Sequence, residues 1–253
     1  MEQETSKKRS KKGIVAAVLA CCLVVGGVAG VLAWLTAEDS AENVFTIGNF
    51  NKPEHDPDDD GDDTKPDDSS TNVEGFLTET NWDADNAKIT PDVSIAKNPN
   101  VGIGVDSDPA YVFLYVKSEA LKDNNVTDVA AHAPVFTLEN GWSAVADYVH
   151  THTGSSNEYT DGLFVFGSAA NLSTLTAADA DVFTGQAFTT VKAPATADMD
   201  KYADAPKITV YAYLYAADTE NVDGTEDQPG SKAAALKAAK EWAVTKGWSV
   251  SGS

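Results

Sequence analysis

A basic head, Lys7-Lys8-Arg9-Ser10-Lys11-Lys12, runs into an uncharged apolar segment from Gly13 to Leu35. Lysines ahead of an apolar segment are an export signal. The cationic flank stays on the cytoplasmic side while the apolar part enters the translocon. The rest of the chain is therefore expected to fold outside the membrane. Both cysteines, Cys21 and Cys22, lie inside the apolar segment, so the exported remainder has no disulfide. Its core alone must hold it together, and that narrows the folds open to it.

Val31 and Ala33 are residues of the size a signal peptidase accepts just before its cut. Gly26, Gly27 and Gly30 lower helix propensity toward the exit end, which favours the extended conformation that cleavage needs. Cleavage is expected between Ala33 and Trp34, making residues 1–33 a signal peptide. A retained anchor is the alternative, because about twenty apolar residues span a bilayer core. Val18-Leu19-Ala20-Cys21 also loosely resembles a lipidation box, but a cut there would leave Cys22 to Leu35 as an apolar start.

Charge sets aside one class of partner. The leader carries five cations and two acids, so its loss moves the formal charge from −21 to −24 (−21 − 5 + 2). Arg9, the only arginine, leaves with it. So acidic a chain is repelled by nucleic acid and by anionic surfaces, and it has no guanidinium fork for phosphate. Contact with a membrane is expected only through an uncleaved leader.

About 220 residues would remain, enough for one large β-domain or two small ones. Residues 34–50 read as an N-terminal strand. Residues 51–72 include Asp56-Pro57-Asp58-Asp59-Asp60-Gly61-Asp62-Asp63, and their prolines and repelling charges predict a disordered insertion. The folded body, residues 73–253, is expected to resume at Val73-Glu74-Gly75-Phe76-Leu77.

Short apolar runs separated by turn residues then predict an all-β sandwich or barrel. Ala110 to Val116 is apolar at alternating positions on both sides, as a strand buried on both faces would be. Pro134 to Leu138 and Trp142 to His152 flank Glu139-Asn140-Gly141, which predicts a hairpin because Asn-Gly tolerates positive φ. Leu163 to Phe166 and Phe188 to Lys192 are further strands. In Lys207 to Ala217, Ile208, Val210, Ala212 and Leu214 share one face, expected to meet the core. Thr209, Tyr211, Tyr213 and Tyr215 share the other, where tyrosines can pack while keeping their hydroxyls wet. One helix is expected, with Ser231 as cap, Lys232 to Lys246 as body and Gly247 as stop. Its Leu236, Ala239, Trp242 and Ala243 suit docking onto a sheet.

Ala33-Trp34-Leu35-Thr36 followed by Asn43-Val44-Phe45-Thr46-Ile47-Gly48-Asn49 resembles the start of the alternate signal-mediated exported proteins, the TasA and camelysin family. Thr90 to Asn100, then Asp108-Pro109-Ala110-Tyr111-Val112-Phe113, and later Ile208 to Tyr213 and the helix bearing Trp242, are similar to that family's later blocks. The acidic insertion, Phe50 and Ala37 depart from its pattern. The resemblance implies a jelly-roll-like β-sandwich and removal of the leader by a dedicated signal peptidase. In some members it implies assembly into extracellular fibres, and others have been classed as secreted metallopeptidases.

Candidate chemistry is sparse. His150-Thr151-His152 would place two imidazoles on one strand face, a spacing zinc sites use, but no His-Glu-x-x-His element accompanies them. A polar strand end explains the pair equally well. Asp56, Asp58, Asp60, Gly61 and Asp67 reproduce calcium-loop spacing, as any aspartate-rich tract does by chance, and Pro57 and Pro66 interrupt them. Gly102-Ile103-Gly104 lacks the third glycine and the strand-then-helix setting of a phosphate cradle, so a strand bend is the better reading. No Gly-x-Ser-x-Gly elbow is present. No catalytic residue, metal ligand or cofactor is assigned.

The expectation is thus an exported cell-surface or matrix protein, self-associating by strand exchange. Trp34 to Phe50, freed at its start by cleavage, would offer Val44, Phe45, Ile47 and Phe50 to an open sheet edge in a neighbour. Pairing of the same strand within its own domain is the plain alternative. A secreted metallopeptidase and a ligand-binding adhesin domain are the rival functions.

Overall fold

The structure, a computed structural model, describes residues 33–34, 50–51, 53, 77–79, 88–122, 129–218, 220, 223–226 and 228–249. All belong to the compact unit Leu32–Ser253. In chain order its strands are β1 (Ala33–Trp34), β2 (Leu77–Thr78), β3 (Lys88–Ile89), β4 (Ser94–Ala96), β5 (Asn100–Ile103) and β6 (Ala110–Leu121). A one-turn helix α1 (Val129–His132) precedes β7 (Trp142–Thr151), β8 (Tyr159–Ser168), β9 (Asn171–Leu172) and β10 (Thr174–Leu175). Then come β11 (Val182–Phe183), β12 (Thr190–Lys192), β13 (Tyr202–Ala216) and helix α2 (Lys232–Thr245).

The apolar run at Ala110–Val116 dictates the architecture. A strand apolar on both faces must be covered on both, and β6 is buried at every position from Ala110 to Val116. It is the spine of a six-stranded antiparallel sheet, with β13 along one edge and β8 and β10 along the other; β7 and β9 pair with β8. On one face Val112, Leu114, Val116, Ile208, Val210 and Leu214 meet Ile89, Val101 and Ile103 from the second layer. On the other, Tyr111, Phe113, Tyr115, Leu163, Val165, Tyr213 and Tyr215 lie under Ala235, Ala239, Trp242 and Ala243 of α2. Each fully buried Val, Leu or Phe contributes roughly 1.5–3 kcal/mol, so this doubly covered spine supplies the stability that disulfides would otherwise give. The fold is an all-β sandwich with one C-terminal helix packed outside it.

The ends of α2 follow from its flanks. Ser231 Oγ accepts from Ala234 N–H at 3.1 Å, satisfying one orphan donor of the first turn. Gly247 at φ +109° ends the helix where a side chain would be strained. The tyrosine face of β13 is less wet than its pattern suggests. Tyr213 and Tyr215 are buried beneath the helix, and Tyr213 stacks on Trp242 with ring centroids 5.1 Å apart.

The second layer consists of short pieces: β2–β5–β11, β4–β12 and β1–β3. Two expectations are corrected here. Gly141 does turn at φ +93°, but the segments flanking it are not partners. Val135 bridges Lys192 of β12 and Phe136 bridges Tyr159 of β8, while Trp142 pairs with Phe166. Phe136 packs on Phe188 and Phe164 at 4.4 and 5.3 Å between centroids, and this cluster draws the segment across the layers instead of back along β7. Secondly, the insertion expected over 51–72 does not begin at Asn51, because Asn51 and Pro53 are held by the domain as described below. Residues 54–72, like 73–76, lie outside the described residues.

Strand β7 carries a wide bulge. Ala144 faces Phe164 and Val149 faces Gly162, so five steps on β7 answer two on β8. Asp147 at φ +65° absorbs the excess, and Gly162 at φ +131° lets the two backbones close up. A Cβ there would lie 2.4 Å from Tyr148 O and 2.6 Å from Val149 Cα. The bulge delivers Val145 and Tyr148 to the core beneath α2.

Candidate functional site

The residues at the expected cleavage point have a defined place. β1 runs antiparallel to β3, Ala33 opposite Ile89 and Trp34 opposite Lys88, and it lies beside β13. Ile89, buried at 0 % exposure, fixes β3 in the core. Of the four residues expected to mediate assembly, Val44, Phe45 and Ile47 lie outside the described residues. Phe50 is described, half-buried and packed on the core between the layers.

Just past Phe50 the chain is tied to the β5–β6 turn. Ser107 Oγ accepts from Asn51 N–H at 2.9 Å, and Asn51 O accepts from Gly104 N–H at 2.8 Å. Asn51 Nδ2 donates to Val105 O at 2.7 Å. Pro53 is buried against Gly102, whose absent side chain makes the room: a Cβ there would lie 2.9 Å from Pro53 Cγ and 2.3 Å from Phe183 Cε1. Gly102 is therefore a point of close approach within β5, the strand reading, and not part of a phosphate cradle. The segment between Trp34 and Phe50 is thus flanked by two stretches seated on the domain.

The paired histidines do not converge. His150 faces Asp161 across β7 and β8, Nδ1 to Oδ1 2.6 Å, whereas His152 Nδ1 lies 2.8 Å from Ala130 O. The β7–β8 register shifts between His150 and Thr151, which breaks the simple alternation that would put both rings on one face. The Asp161 hydrogen bond raises the His150 pKa above its ordinary value, against the lowering effect of burial. His150 also packs on Trp248, 4.5 Å between centroids, and Tyr148 stacks on the same indole at 5.9 Å. Together they hold the chain just beyond α2 onto the sheet. The pair can store a proton. Among the described residues no group of three or more His, Cys, Asp or Glu could hold a metal ion. The calcium-spaced Asp56, Asp58, Asp60, Gly61 and Asp67 lie outside them.

Two further features escaped the sequence reading. Lys97, with 1 % of its side chain exposed, holds Glu79 through both oxygens, at 2.7 Å to Oε1 and 2.8 Å to Oε2. A lysine among charged and polar neighbours gives no sign that it will be the one interred. The only hint is its position between Ile95 and the buried Asn98 and Asn100. Elsewhere, a groove of about 500 Å³ lies along α2, where Lys232, Lys237 and Lys240 meet Asp223, Glu226 and Glu241 in near balance. Burial raises the hydroxyls of Tyr111, Tyr115 and Tyr213 beneath α2, pushing Tyr213 up to about 12. These groups are structural, holding the helix and the layers in place.

No family model, no curated protein and no solved structure matches this chain.

Proposed function

We propose that this chain is an exported cell-surface or extracellular-matrix structural protein whose N-terminal strand can be exchanged between copies to build fibres, in the manner implied by its resemblance to the TasA and camelysin family. The leader, with its basic head and apolar run, supports export by the signal peptidase route. One observation supports exchange above the others. The residues on either side of the expected cut, Ala33 and Trp34, pair as a strand with Lys88–Ile89, beside β13, so the domain has a seat that the first residue after the leader enters. A seat that accepts a segment of the same chain accepts the identical segment of a neighbour, with the same backbone bonds and side-chain fit. The fifteen residues between Trp34 and Phe50 could span at most about 50 Å fully extended, enough to reach an adjoining copy. The Phe50–Pro53 anchor stays with its own domain in either arrangement. A peptidase reading draws no such support, since His150 and His152 have separate partners.

Electron microscopy of purified protein starting at Trp34, beside protein starting at Phe50, tests this. Fibres from the first alone, with the second soluble, folded and binding the free 34–49 peptide, is the expected result. Fibres from both, or from neither under any condition, would overturn it.

A further inference from the structure

We infer that the outer edge of β13, from Ile208 to Ala216, receives residues 43–49 of a second copy as an added strand. The inference rests on the strand-exchange reading and names the edge at which the exchanged segment pairs. β13 pairs with β6 along one side, in unbroken register from Lys207 to Ala216, and no strand among the described residues pairs with its other side. One bond tells which groups that side presents. Ala217 N–H donates to Pro109 O, so Ala217 directs its backbone toward β6. Along an antiparallel strand the N–H and C=O groups of successive residues point to alternate sides. Thr209, Tyr211, Tyr213 and Tyr215 therefore direct theirs to β6, while Ile208, Val210, Ala212, Leu214 and Ala216 direct theirs outward. Of these outward residues, Ile208, Val210, Ala212 and Leu214 are no more than 8 % exposed. Water has little access to backbone groups in so dry a setting, and buried N–H and C=O groups are nearly always paired. The edge calls for a strand.

The two ends of this sheet are built differently. β7 closes the far end, and its bulge with Asp147 at φ +65° interrupts the edge there, a device that blocks strand addition. β13 has no bulge from Lys207 to Ala216 and no charged residue from Ile208 to Ala217. β1 lies beside β13 without pairing to it, so a segment seated at Trp34 begins next to this edge. The fifteen residues between Trp34 and Phe50 exceed the roughly 30 Å of strand needed to follow nine residues of edge. Residues 43–49 are uncharged, and Val44, Phe45, Thr46 and Ile47 are good strand formers. Laid along β13, with Phe45 and Ile47 on the core side, they extend the apolar row of Val210, Ala212 and Leu214.

Amide hydrogen exchange read by NMR tests this on the protein starting at Trp34, once as a dilute monomer and once as fibres that are dissolved after exchange. Fibre formation should slow exchange at Ile208, Val210, Ala212, Leu214 and Ala216 about tenfold more than at Thr209, Tyr211, Tyr213 and Tyr215, which already bond to β6. Ala212→Pro removes one outward donor while sparing the β6 ladder, and should slow fibre growth about tenfold. Should this variant fail to fold, the exchange pattern decides alone. Fibres that form without alternating protection along β13 overturn the inference and leave strand exchange standing. A folded Ala212→Pro chain that grows fibres at the wild-type rate does the same. Absence of fibres under every condition overturns both readings together.

Discussion

His150 and Asp161 are direct cross-strand partners, 2.6 Å apart, on the two strands that the β7 bulge forces out of register. Because the hydrogen bond to Asp161 raises the histidine's pKa above 6.5, the charged pair favours the folded state. Its contribution is fully present below the unfolded value near 6.5 and is lost as pH rises through the higher folded value. Asp161→Asn should therefore lower the melting temperature relative to wild type at pH 5.5, and the difference should shrink by pH 8.5. Both side chains are partly exposed, so the effect is small, below about 1 kcal/mol or roughly 3 °C. A difference that is constant from pH 5.5 to 8.5 would remove the histidine from the explanation.

Lys97 and Glu79 offer a sharper test, because their pair is nearly out of water. Removing one partner strands a buried charge. Lys97→Met should cost about 3–5 kcal/mol in urea unfolding. Lys97→Met combined with Glu79→Leu should recover most of that loss, since two apolar side chains leave no charge to desolvate. A double variant as unstable as the single one would mean that the pair's other contacts, not its charge balance, hold this corner.

Gly162 and Gly141 both have positive φ, yet they differ in what surrounds them. A Cβ on Gly141 meets nothing nearer than Phe166 Cε2 at 3.5 Å, whereas on Gly162 it would strike backbone at 2.4 Å. Gly141→Ala should cost roughly 1 kcal/mol, the conformational term alone. Gly162→Ala should cost at least about twice as much by thermal or chemical unfolding, because β7 would have to move. Equal losses would show that the strand pair is looser at the bulge than its register implies.

The anchor at Asn51 rests on a hydroxyl that can be removed. Ser107→Ala removes the hydroxyl that accepts from Asn51 N–H and donates to Gly104 O, and should cost about 1 kcal/mol. Deleting residues 55–70, which include no large apolar side chain, should change stability by less than about 0.5 kcal/mol. A large fall in melting temperature on that deletion, or a calcium-dependent rise that vanishes with it, would reveal a structured site in the tract.

For assembly, Phe45→Asp and Ile47→Asp should each block fibre growth, because an unpaired carboxylate is strongly disfavoured in an apolar groove. The two residues share one strand face, so parallel effects are expected. Growth that survives both substitutions under electron microscopy would sink strand exchange through this face.

Much of the fold could be read in advance where one segment carried its own signal. Ala110–Val116 announces a doubly covered strand by having no polar face, and Ser231 with Gly247 brackets the helix in a few residues. What was hidden depends on partners far away in sequence. Asn140-Gly141 encodes a turn but not what the turn joins; Phe136 chose Phe188 and Phe164 over the neighbouring strand. The tyrosines of β13 look amphipathic in isolation and are buried because α2, some twenty residues on, lies over them. At the candidate site the sequence marked Phe50 as apolar, but not that it packs on the core. The hydrogen bonds from Asn51 to Ser107 span 56 positions, and no local pattern foretells them.

Pro53 and Leu77 both return to the same short strand: Pro53 rests against Gly102, and Leu77 pairs with Val101. The described chain thus stops at Pro53 and resumes at Leu77 at nearly one point on β5. Doubling such a loop raises its closure cost by only about 0.6 kcal/mol. The domain is built with a socket. Reporter peptides, affinity tags or a second small domain spliced between these two ends should leave the melting temperature of the sandwich nearly unchanged.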